Sequence, residues 1–571
     1  MQAPRRRPRR RPNKPTLRAE PRAAARPDVT PQPAKRERSE PLPLAGGTRL
    51  GLLCLITAAG AGLRFYRLGA EPMWFDEAYT ALSVQLPIGG ILERLRGEGN
   101  APLYYLLMHA WTAWFGDGEV AMRFVSALLG TVTLPLLYVV GARMLSAPAG
   151  LIAAALAAVS PLHIHYSQEA RMYPLVPPFA ICALFGLQRL LAAPSRAAVV
   201  AFALPAAAGL YTQYYFLFLL PLAGVAILAP DRRRSVPLAA AAVLLVGLAF
   251  APWLPSFLEQ ARNSSPDWIG TFWRERSLAY AVPWSLQTLG PGASYPRWAT
   301  FKFASSTPSA AVSLGLAVFL LAAAVSDLWR APRQETGGAV AAPPDRDAAP
   351  AREQRISLAL MLGAVLVPLV LAWTVSLLRR PVYVVARYDL IAWGAYCLLA
   401  GAVLSRRRLP VAVAVLVLWM GLSLYTLWPY LTTQRPKRVW ADQGDRIATM
   451  LTERARPGES VIFTAATRTM TQYYLRQAPD RLRLSSYPLG TDEHLGWIDD
   501  RIHRDPRFAA AEAQRFAAWF ADAAEPPPVV WIVAPRSRGT APLLGELKRR
   551  GYAEDATRSA GLLLCLHHSA S

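Results

Sequence analysis

The sequence predicts a polytopic α-helical membrane protein with about eleven transmembrane helices, followed by a small α/β domain at the C-terminal end. Of the 571 residues, 53% are hydrophobic and only 18% are charged, whereas soluble proteins carry about 25% charged residues. The hydrophobic residues gather in blocks of about 17–25, which is long enough for a helix to cross a bilayer. From residue 430 onward the composition becomes that of a soluble domain.

The chain begins with a strongly basic segment. The formal net charge is +24, and much of it lies in the Arg- and Pro-rich residues 1–44. Such a composition cannot bury enough apolar surface to fold. Arginine runs beside a membrane span favour the cytoplasmic side. We therefore predict a disordered basic cytoplasmic tail over residues 1–44, rather than an arm that binds nucleic acid.

The predicted transmembrane domain covers residues 45–429. The blocks that satisfy the length of a spanning helix are 45–66, 119–141, 147–163, 175–193, 196–212, 214–230, 236–256, 308–329, 356–377, 385–404 and 409–428. Basic residues such as Arg143, Arg196 and the run 406–408 fall in alternate loops, which the positive-inside rule places in the cytoplasm together with the N-terminus. The adjacent blocks 196–212 and 214–230 are either two spans or a re-entrant hairpin.

This topology places four loops and the C-terminal segment outside. The loops are 67–118, 163–173, 257–307 and 378–389. The segment 430–571 alternates apolar strand-like runs with amphipathic stretches, which predicts an extracytoplasmic α/β domain. It has no glycine-rich phosphate loop, so nothing marks it as nucleotide-binding.

An acidic pair, Asp76 and Glu77, follows the first span closely. Trp74, Phe75 and Tyr79 surround the pair in the sequence, and apolar surroundings make a carboxylate a better base. We predict that Asp76 is a general base that takes the proton of an acceptor hydroxyl or amine. Glu77 could support Asp76, bind a divalent cation or be an exposed bystander.

The short loop after the third span holds several candidate binding residues. Glu169 and Arg171 could form a structural ion pair, or Arg171 could meet an anionic group while Tyr173 lines a pocket. His163 and His165 are candidate metal ligands, although two histidines without a third clear ligand are weak evidence for a metal site. No cofactor is predicted to be required, and a divalent metal stays open.

An arginine cluster lies outside by the span count, against the positive-inside trend. Arg379 and Arg380 end one span, and Arg387 with Tyr388 begins the next. Guanidinium forks match phosphate oxygens, although arginine can also anchor in the headgroup layer. A base and a phosphate clamp on one face suggest transfer of a group from a membrane-embedded phosphate donor to an acceptor outside.

Five segments carry a family resemblance: LRFYRL…FDEAY, NAPLYYLLMHAW, EVAMRFVSALLG, HYSQEARMY and ARYDL. Their order resembles bacterial polytopic glycosyltransferases of the GT-C class. More narrowly, it resembles the dolichyl-phosphate-mannose protein mannosyltransferases and the lipid A aminoarabinose transferases, a glycosyltransferase family 39-like group. The resemblance is good over residues 50–180, loose over the remaining spans and nearly absent in the C-terminal domain.

The resemblance implies a multi-pass enzyme of the bacterial inner membrane. Asp76 matches the first-loop acid of the family, which is the candidate general base. The donor would be a polyprenyl-phosphate sugar, the anomeric centre would be inverted, and the acceptor would be a protein, lipid or polysaccharide. The catalytic candidates are Asp76 and Glu77, and Glu77, His163 and His165 are the candidates for a metal. The candidates for substrate binding are Arg64, Tyr79, His163, His165, Glu169, Arg171, Tyr173, Arg379, Arg380, Arg387 and Tyr388.

Two other functions remain open at this point. A transporter or flippase of lipid-linked sugars would also need outward-facing arginine and an apolar groove, but such proteins commonly have internal repeats, and none is visible here. A scaffold whose C-terminal domain binds wall components is the third reading.

The four cysteines predict no disulfide framework and no metal site by spacing. Cys54, Cys182 and Cys397 fall inside apolar blocks and are most simply small core residues. Cys565 has no obvious partner in its own domain.

Overall fold

A computed structural model describes most of the chain. The described residues are 46–229, 231–262, 268–274, 277–291, 308–330, 351–432, 444–464, 467–489, 502, 505–521, 526–533 and 540–569. The predicted cytoplasmic tail, residues 1–44, lies outside the described residues, so that prediction remains an expectation.

Helices dominate the region before residue 433. They are α1 (Gly46–Phe65), α2 (Phe75–Ser83), α3 (Ile88–Arg96), α4 (Leu103–Phe115), α5 (Glu119–Met144), α6 (Ala147–Ala158), α7 (Pro161–Ser167), α8 (Val176–Ala192), α9 (Arg196–Leu210), α10 (Arg232–Phe250), α11 (Leu254–Arg262), α12 (Trp268–Arg274), α13 (Ala281–Leu289), α14 (Pro308–Arg330), α15 (Ala351–Leu378), α16 (Leu390–Leu404) and α17 (Leu409–Thr432). Several 3₁₀ helices lie between them, at Tyr173–Leu175, Tyr214–Phe218, Leu220–Leu228, Ala251–Trp253 and Leu278–Tyr280.

The described helices confirm a polytopic membrane protein. Seven are long and apolar enough to cross a bilayer, or up to eight if α6 and α7, which meet at a 64° bend, form one broken span. Three shorter apolar helices lie at Arg196–Leu210, Tyr214–Ile227 and Leu390–Leu404. Together these segments coincide with the eleven predicted blocks. The three short helices are apolar but too short to cross a bilayer by length, so composition predicts more spans than helix length supports.

The centre of the bundle is held by small residues that let backbones approach. Every residue of α16 is buried, and a Cβ atom added at Gly401 would lie 2.2 Å from the carbonyl oxygen of Ala149 in α6. A Cβ added at Gly141 of α5 would lie 2.8 Å from the Cα of Gly150. Close helix contacts of this kind supply packing where lipid gives no hydrophobic drive between helices.

The segment between α1 and α5 folds against the bundle as three short helices. The acidic pair lies in the first turn of α2, and the apolar side chains Tyr104, Tyr105 and Met108 of α4 are fully buried. At the other end of α4, Trp114 and Phe115 are 85% and 62% exposed. Exposed aromatics at a helix end suit the headgroup level of a membrane.

The C-terminal part is a small sheet with helices, as predicted. Its strands are β1 (Ser460–Thr464), β2 (Arg483–Tyr487), β3 (Val529–Val533), β4 (Tyr552–Glu554) and β5 (Leu563–His568), in the spatial order β2-β1-β3-β5-β4. β1 is parallel to β2 and β3, whereas β5 is antiparallel to β3 and β4. The helices are α18 (Gly444–Arg454), α19 (Thr467–Leu475), α20 (Pro506–Ala521) and α21 (Ala541–Arg549), with a 3₁₀ turn at Pro479–Arg481.

Candidate active site

The two acids of α2 have different surroundings. They occupy its first turn, where the positive end of the helix dipole favours negative charge. Because successive helical residues point about 100° apart, the two side chains diverge. Glu77 is fully buried, whereas the side chain of Asp76 is 19% exposed.

Glu77 forms a buried ion pair with Arg123 of α5. Nε and Nη2 of Arg123 donate to the two carboxylate oxygens at 2.7 and 2.6 Å. The same carboxylate accepts the backbone N–H of Ala170 at 2.9 Å. Arg123 also donates to the carbonyl oxygens of Leu68, Glu71 and Pro72. This geometry ties α2 to α5 and to the loop before α8. Of the three roles considered for Glu77, this buried ion pair favours support of Asp76 over that of an exposed bystander.

Asp76 faces two arginines from distant parts of the chain. Its Oδ2 lies 3.5 Å from Nη1 of Arg387 and 3.8 Å from Nε of Arg171. Both distances exceed that of a tight charge-assisted hydrogen bond, about 2.8 Å. Asp76, Arg171 and Arg387 thus form a loose three-charge cluster at the edge of the bundle.

Arg171 is fixed by neutral groups of the segment between α1 and α5. It donates to the hydroxyl of Tyr105 at 3.0 Å and to the backbone oxygen of Asp76 at 3.4 Å. Burial raises the pKa of Tyr105, so this hydroxyl stays protonated at neutral pH and can accept from Arg171. The guanidinium is therefore held beside Asp76 by hydrogen bonds that do not neutralise it.

Arg387 is packed between aromatic rings. Its Cζ lies 5.7 Å from the ring centre of Trp74 and 5.6 Å from that of Tyr173, within the range of cation–π attraction. The preceding residue, Ala386, has a φ of +57°, which costs about 1–2 kcal/mol for a residue with a Cβ. The N–H of Ala386 donates to Asp389 Oδ2 at 2.9 Å, and the carbonyl oxygen of Ala386 accepts the hydroxyl of Tyr166. These bonds hold the bend that presents Arg387.

The two histidines do not converge on a common point. His163 Nδ1 lies 2.9 Å from Nη2 of Arg64, and its ring stacks on Trp393 at 4.0 Å. His165 instead pairs with Glu169 at 2.8 Å. His163 contacts a guanidinium and His165 contacts a carboxylate, so the two imidazoles do not face a common metal position in this loop.

Five further predicted residues are not members of this three-charge cluster. Arg64 is buried, and it donates to the carbonyl oxygens of Gly60, Ala157 and Ala158. Tyr79 is buried, with its ring 6.3 Å from that of Tyr105, and Tyr388 packs on Tyr215 at 4.9 Å. Arg379 and Arg380 follow α15 directly, and both are exposed. The two arginines that pair with Asp76 are instead Arg171 and Arg387.

The C-terminal domain contributes a contact that the sequence did not reveal. The hydroxyl of Tyr474 accepts the Met73 N–H at 2.7 Å and donates to Glu119 Oε1 at 2.5 Å. Arg476 pairs with Asp117 at 2.7 Å. This ion pair, chiefly through its hydrogen bond, lowers the pKa of Asp117. The end of α19 therefore fixes the chain just before α2, close to Asp76.

Replacing Tyr474 with Phe should loosen the start of α2. Phe leaves the Met73 N–H without its acceptor, and losing a hydrogen bond at a part-buried group costs about 1–2 kcal/mol. We expect amide hydrogen exchange over residues 70–83 to accelerate about tenfold, as measured by mass spectrometry. The Tyr425→Phe variant, in the exposed part of α17, should leave that exchange unchanged. Unchanged exchange in Tyr474→Phe would show that α19 does not hold α2.

The comparisons with known proteins agree with the resemblance. Residues 99–255 match the family model of dolichyl-phosphate-mannose-protein mannosyltransferase. No curated protein sequence matches the chain significantly.

Solved structures of low identity align with the chain at TM-scores below 0.5. ArnT from Cupriavidus metallidurans bound to undecaprenyl phosphate aligns with a TM-score of 0.44 and 15% identity, over 91% of this chain and 98% of that chain. The archaeal oligosaccharyltransferase AglB from Archaeoglobus fulgidus aligns with a TM-score of 0.48 and 12% identity, over 90% of this chain and 74% of that chain. The Pmt1-Pmt2 complex of S. cerevisiae aligns with a TM-score of 0.31 and 17% identity, over 39% of this chain and 35% of that chain.

The family match covers the segment between Gly99 and Pro255, which includes α4, α5 and the loop with Arg171. It supports a membrane glycosyltransferase. The resemblance predicted from the five sequence segments is confirmed by this match: over residues 99–255 the chain is similar to the dolichyl-phosphate-mannose-protein mannosyltransferases.

Proposed function

We propose that this chain transfers a sugar from a polyprenyl-phosphate donor to an acceptor on the outer face of the membrane, with Asp76 as general base. The observation that carries the proposal is the cluster in which Oδ2 of Asp76 faces Arg387 at 3.5 Å and Arg171 at 3.8 Å. The family match to enzymes named for a dolichyl-phosphate sugar supports the donor class.

The charge of the cluster suits a phosphate. Two guanidiniums face one carboxylate, so the three groups Asp76, Arg171 and Arg387 carry a net charge of +1. Excess positive charge in a buried place is costly unless an anion accompanies it. A lipid phosphodiester would bring that negative charge, and guanidinium forks bind its oxygens in pairs.

The proposed reaction follows from these positions. Asp76 accepts the proton of the acceptor hydroxyl while the acceptor oxygen attacks the anomeric carbon. The bond between that carbon and the phosphate oxygen breaks, and its electron pair stays on the polyprenyl phosphate. Arg171 and Arg387 stabilise the charge that develops on this leaving group, which is commonly the larger electrostatic contribution in such transfers. Attack opposite the leaving group inverts the anomeric centre.

A donor phosphate would also free the base. Without substrate, Asp76 is shared by Arg171 and Arg387 at loose distances. When a phosphate takes the arginine donors, the carboxylate is left to accept a proton from the acceptor. The partly exposed side chain of Asp76 gives the acceptor an approach.

Release of polyprenyl phosphate tests the reaction class. Purified protein should release polyprenyl phosphate from a labelled polyprenyl-phosphate sugar when a mixture of candidate protein, lipid and polysaccharide acceptors is present. A transporter or flippase would move the intact donor and release none. Absence of release with every acceptor class, in protein that binds the donor, would contradict the proposal.

Replacing Arg387 with Gln should lower kcat/KM for the donor about 100-fold. The variant loses a charge-assisted hydrogen bond to phosphate, worth about 1.5–3 kcal/mol. Arg387→Lys keeps the charge without the fork and should lose less. The exposed Arg96→Gln, in the last turn of α3, is the matched control. If Arg387→Gln behaves like Arg96→Gln in a steady-state assay, Arg387 does not hold the phosphate.

A further inference from the structure

Three side chains capable of binding a metal meet at the edge of the C-terminal sheet. One ligand atom from each of Asp555, Cys565 and His567 lies within 4.8 Å of the other two. They form the one such group among the residues that the structure describes. This cluster is far in sequence from the candidate active site and has no part in the proposed transfer.

The sheet explains why these residues meet. Cys565 and His567 are two positions apart in β5, so their side chains leave the same face. Asp555 follows β4, which pairs with β5, and its N–H donates to the Cys565 carbonyl oxygen at 2.8 Å. Cys565, a free cysteine, therefore lies beside Asp555 and His567 in its own domain.

The geometry differs from that of a nucleophile with a base. In a catalytic triad the carboxylate and the nucleophile meet opposite nitrogens of the imidazole. Here one nitrogen, Nε2 of His567, faces both Asp555 Oδ2 at 3.1 Å and Cys565 Sγ at 3.9 Å. A single N–H can serve one of these partners well. A cation placed between the three atoms can bind all of them.

We propose that Asp555, Cys565 and His567 bind a zinc ion. Thiolate, imidazole and carboxylate are the ligands that zinc prefers. Tetrahedral zinc would separate the imidazole nitrogen from the oxygen by about 3.3 Å and from the sulfur by about 3.5 Å. The present separations of the imidazole nitrogen, 3.1 and 3.9 Å, lie within a few tenths of an ångström of these values, and the carboxylate oxygen and the sulfur are within 4.8 Å of each other. The fourth position is open to water.

The surroundings hold the ligands in place. The other oxygen of Asp555, Oδ1, accepts the N–H groups of Thr557 and Arg558 at 2.9 and 3.3 Å. This turn fixes the carboxylate so that Oδ2 faces His567, as outer partners do at metal sites. Cys565 is buried, whereas the side chains of Asp555 and His567 are 23% and 42% exposed. Zinc therefore has access from solvent.

Metal content of the full-length protein in detergent tests the proposal. After removal of metal by a chelator and dialysis against Zn²⁺, the wild type should hold one zinc per chain more than His567→Gln or Cys565→Ser. The difference excludes zinc bound elsewhere, including at Asp76. The neighbouring His568→Gln is the matched control, because His568 points away from the cluster and packs on Tyr552; it should bind as much zinc as the wild type.

Cobalt provides a second measurement. The wild type loaded with Co²⁺ should show the near-ultraviolet absorption of a cobalt–thiolate bond, and Cys565→Ser should lack it. His567 is partly exposed, so its replacement spares the core and keeps the test valid if Cys565→Ser folds poorly. Equal zinc in wild type and His567→Gln, or cobalt binding without thiolate absorption, would overturn the site.

Discussion

Replacing Asp76 with Asn is expected to reduce sugar transfer by about 10²–10⁴-fold, the usual contribution of a general base. Asn has nearly the same size and accepts no proton, so the loss should fall on kcat. Steady-state transfer from a labelled polyprenyl-phosphate sugar would measure it. Glu93→Gln, an exposed acid in α3, is the control for removing a carboxylate from the same region.

Donor binding, in contrast to transfer, should not weaken in Asp76→Asn. Asp76 lies within 4 Å of both Arg171 and Arg387, so it competes with the donor phosphate for them. Asp76→Asn should therefore bind polyprenyl phosphate as tightly as the wild type or more tightly, by titration of the detergent-solubilised protein. Full transfer by Asp76→Asn would rule out the general base, and lost donor binding would mean that Asp76 helps to form the phosphate site.

The membrane fold was predictable because hydropathy and length act locally. All eleven predicted blocks coincide with described apolar segments, because the cost of unpaired backbone in lipid forces each block to be a helix. The strands β2 and β4 have no clear signal in the sequence. β2 reads Arg483–Tyr487 with polar side chains, and β4 has only three residues, so neither carries an apolar run long enough to identify a strand from sequence.

The candidate site was predictable in part. Asp76, Arg171 and Arg387 were identified from their positions beside predicted spans. Arg123 was missed although an ionisable residue inside an apolar block was a signal. Tyr474 gave no signal, because its contact with Met73 joins residues 401 positions apart. The positive φ of Ala386 was equally hidden, since nothing in an alanine requires it.

The sequence left Glu77 undecided because adjacency in a chain does not mean shared surroundings. One helical step places Asp76 at the rim and Glu77 in the core, where Arg123 meets it with two hydrogen bonds. The pair thus divides into a candidate base and a residue that fixes the helix bearing it. This division predicts that changes at Glu77 act first on stability and only then on transfer.

Replacing either partner of the Glu77–Arg123 pair should destabilise the protein by about 3–5 kcal/mol, because the remaining charge stays buried without its partner. Glu77→Gln strands Arg123, and Arg123→Met strands Glu77 and leaves three carbonyl oxygens without a donor. The double variant should lose less than the sum of the two. Denaturant unfolding in detergent, arranged as a double-mutant cycle, would measure this coupling.

Arg515→Met provides the control for the cycle. Arg515 pairs with Glu512 on α20 at 3.3 Å, but its side chain is 65% exposed, so its loss should cost under about 1 kcal/mol. If Glu77→Gln unfolds like Arg515→Met and yet abolishes transfer, Glu77 acts directly in the reaction and not as a support. If it loses stability while the folded fraction keeps transfer near the wild-type rate, the carboxylate of Glu77 serves to hold α2 in position for Asp76.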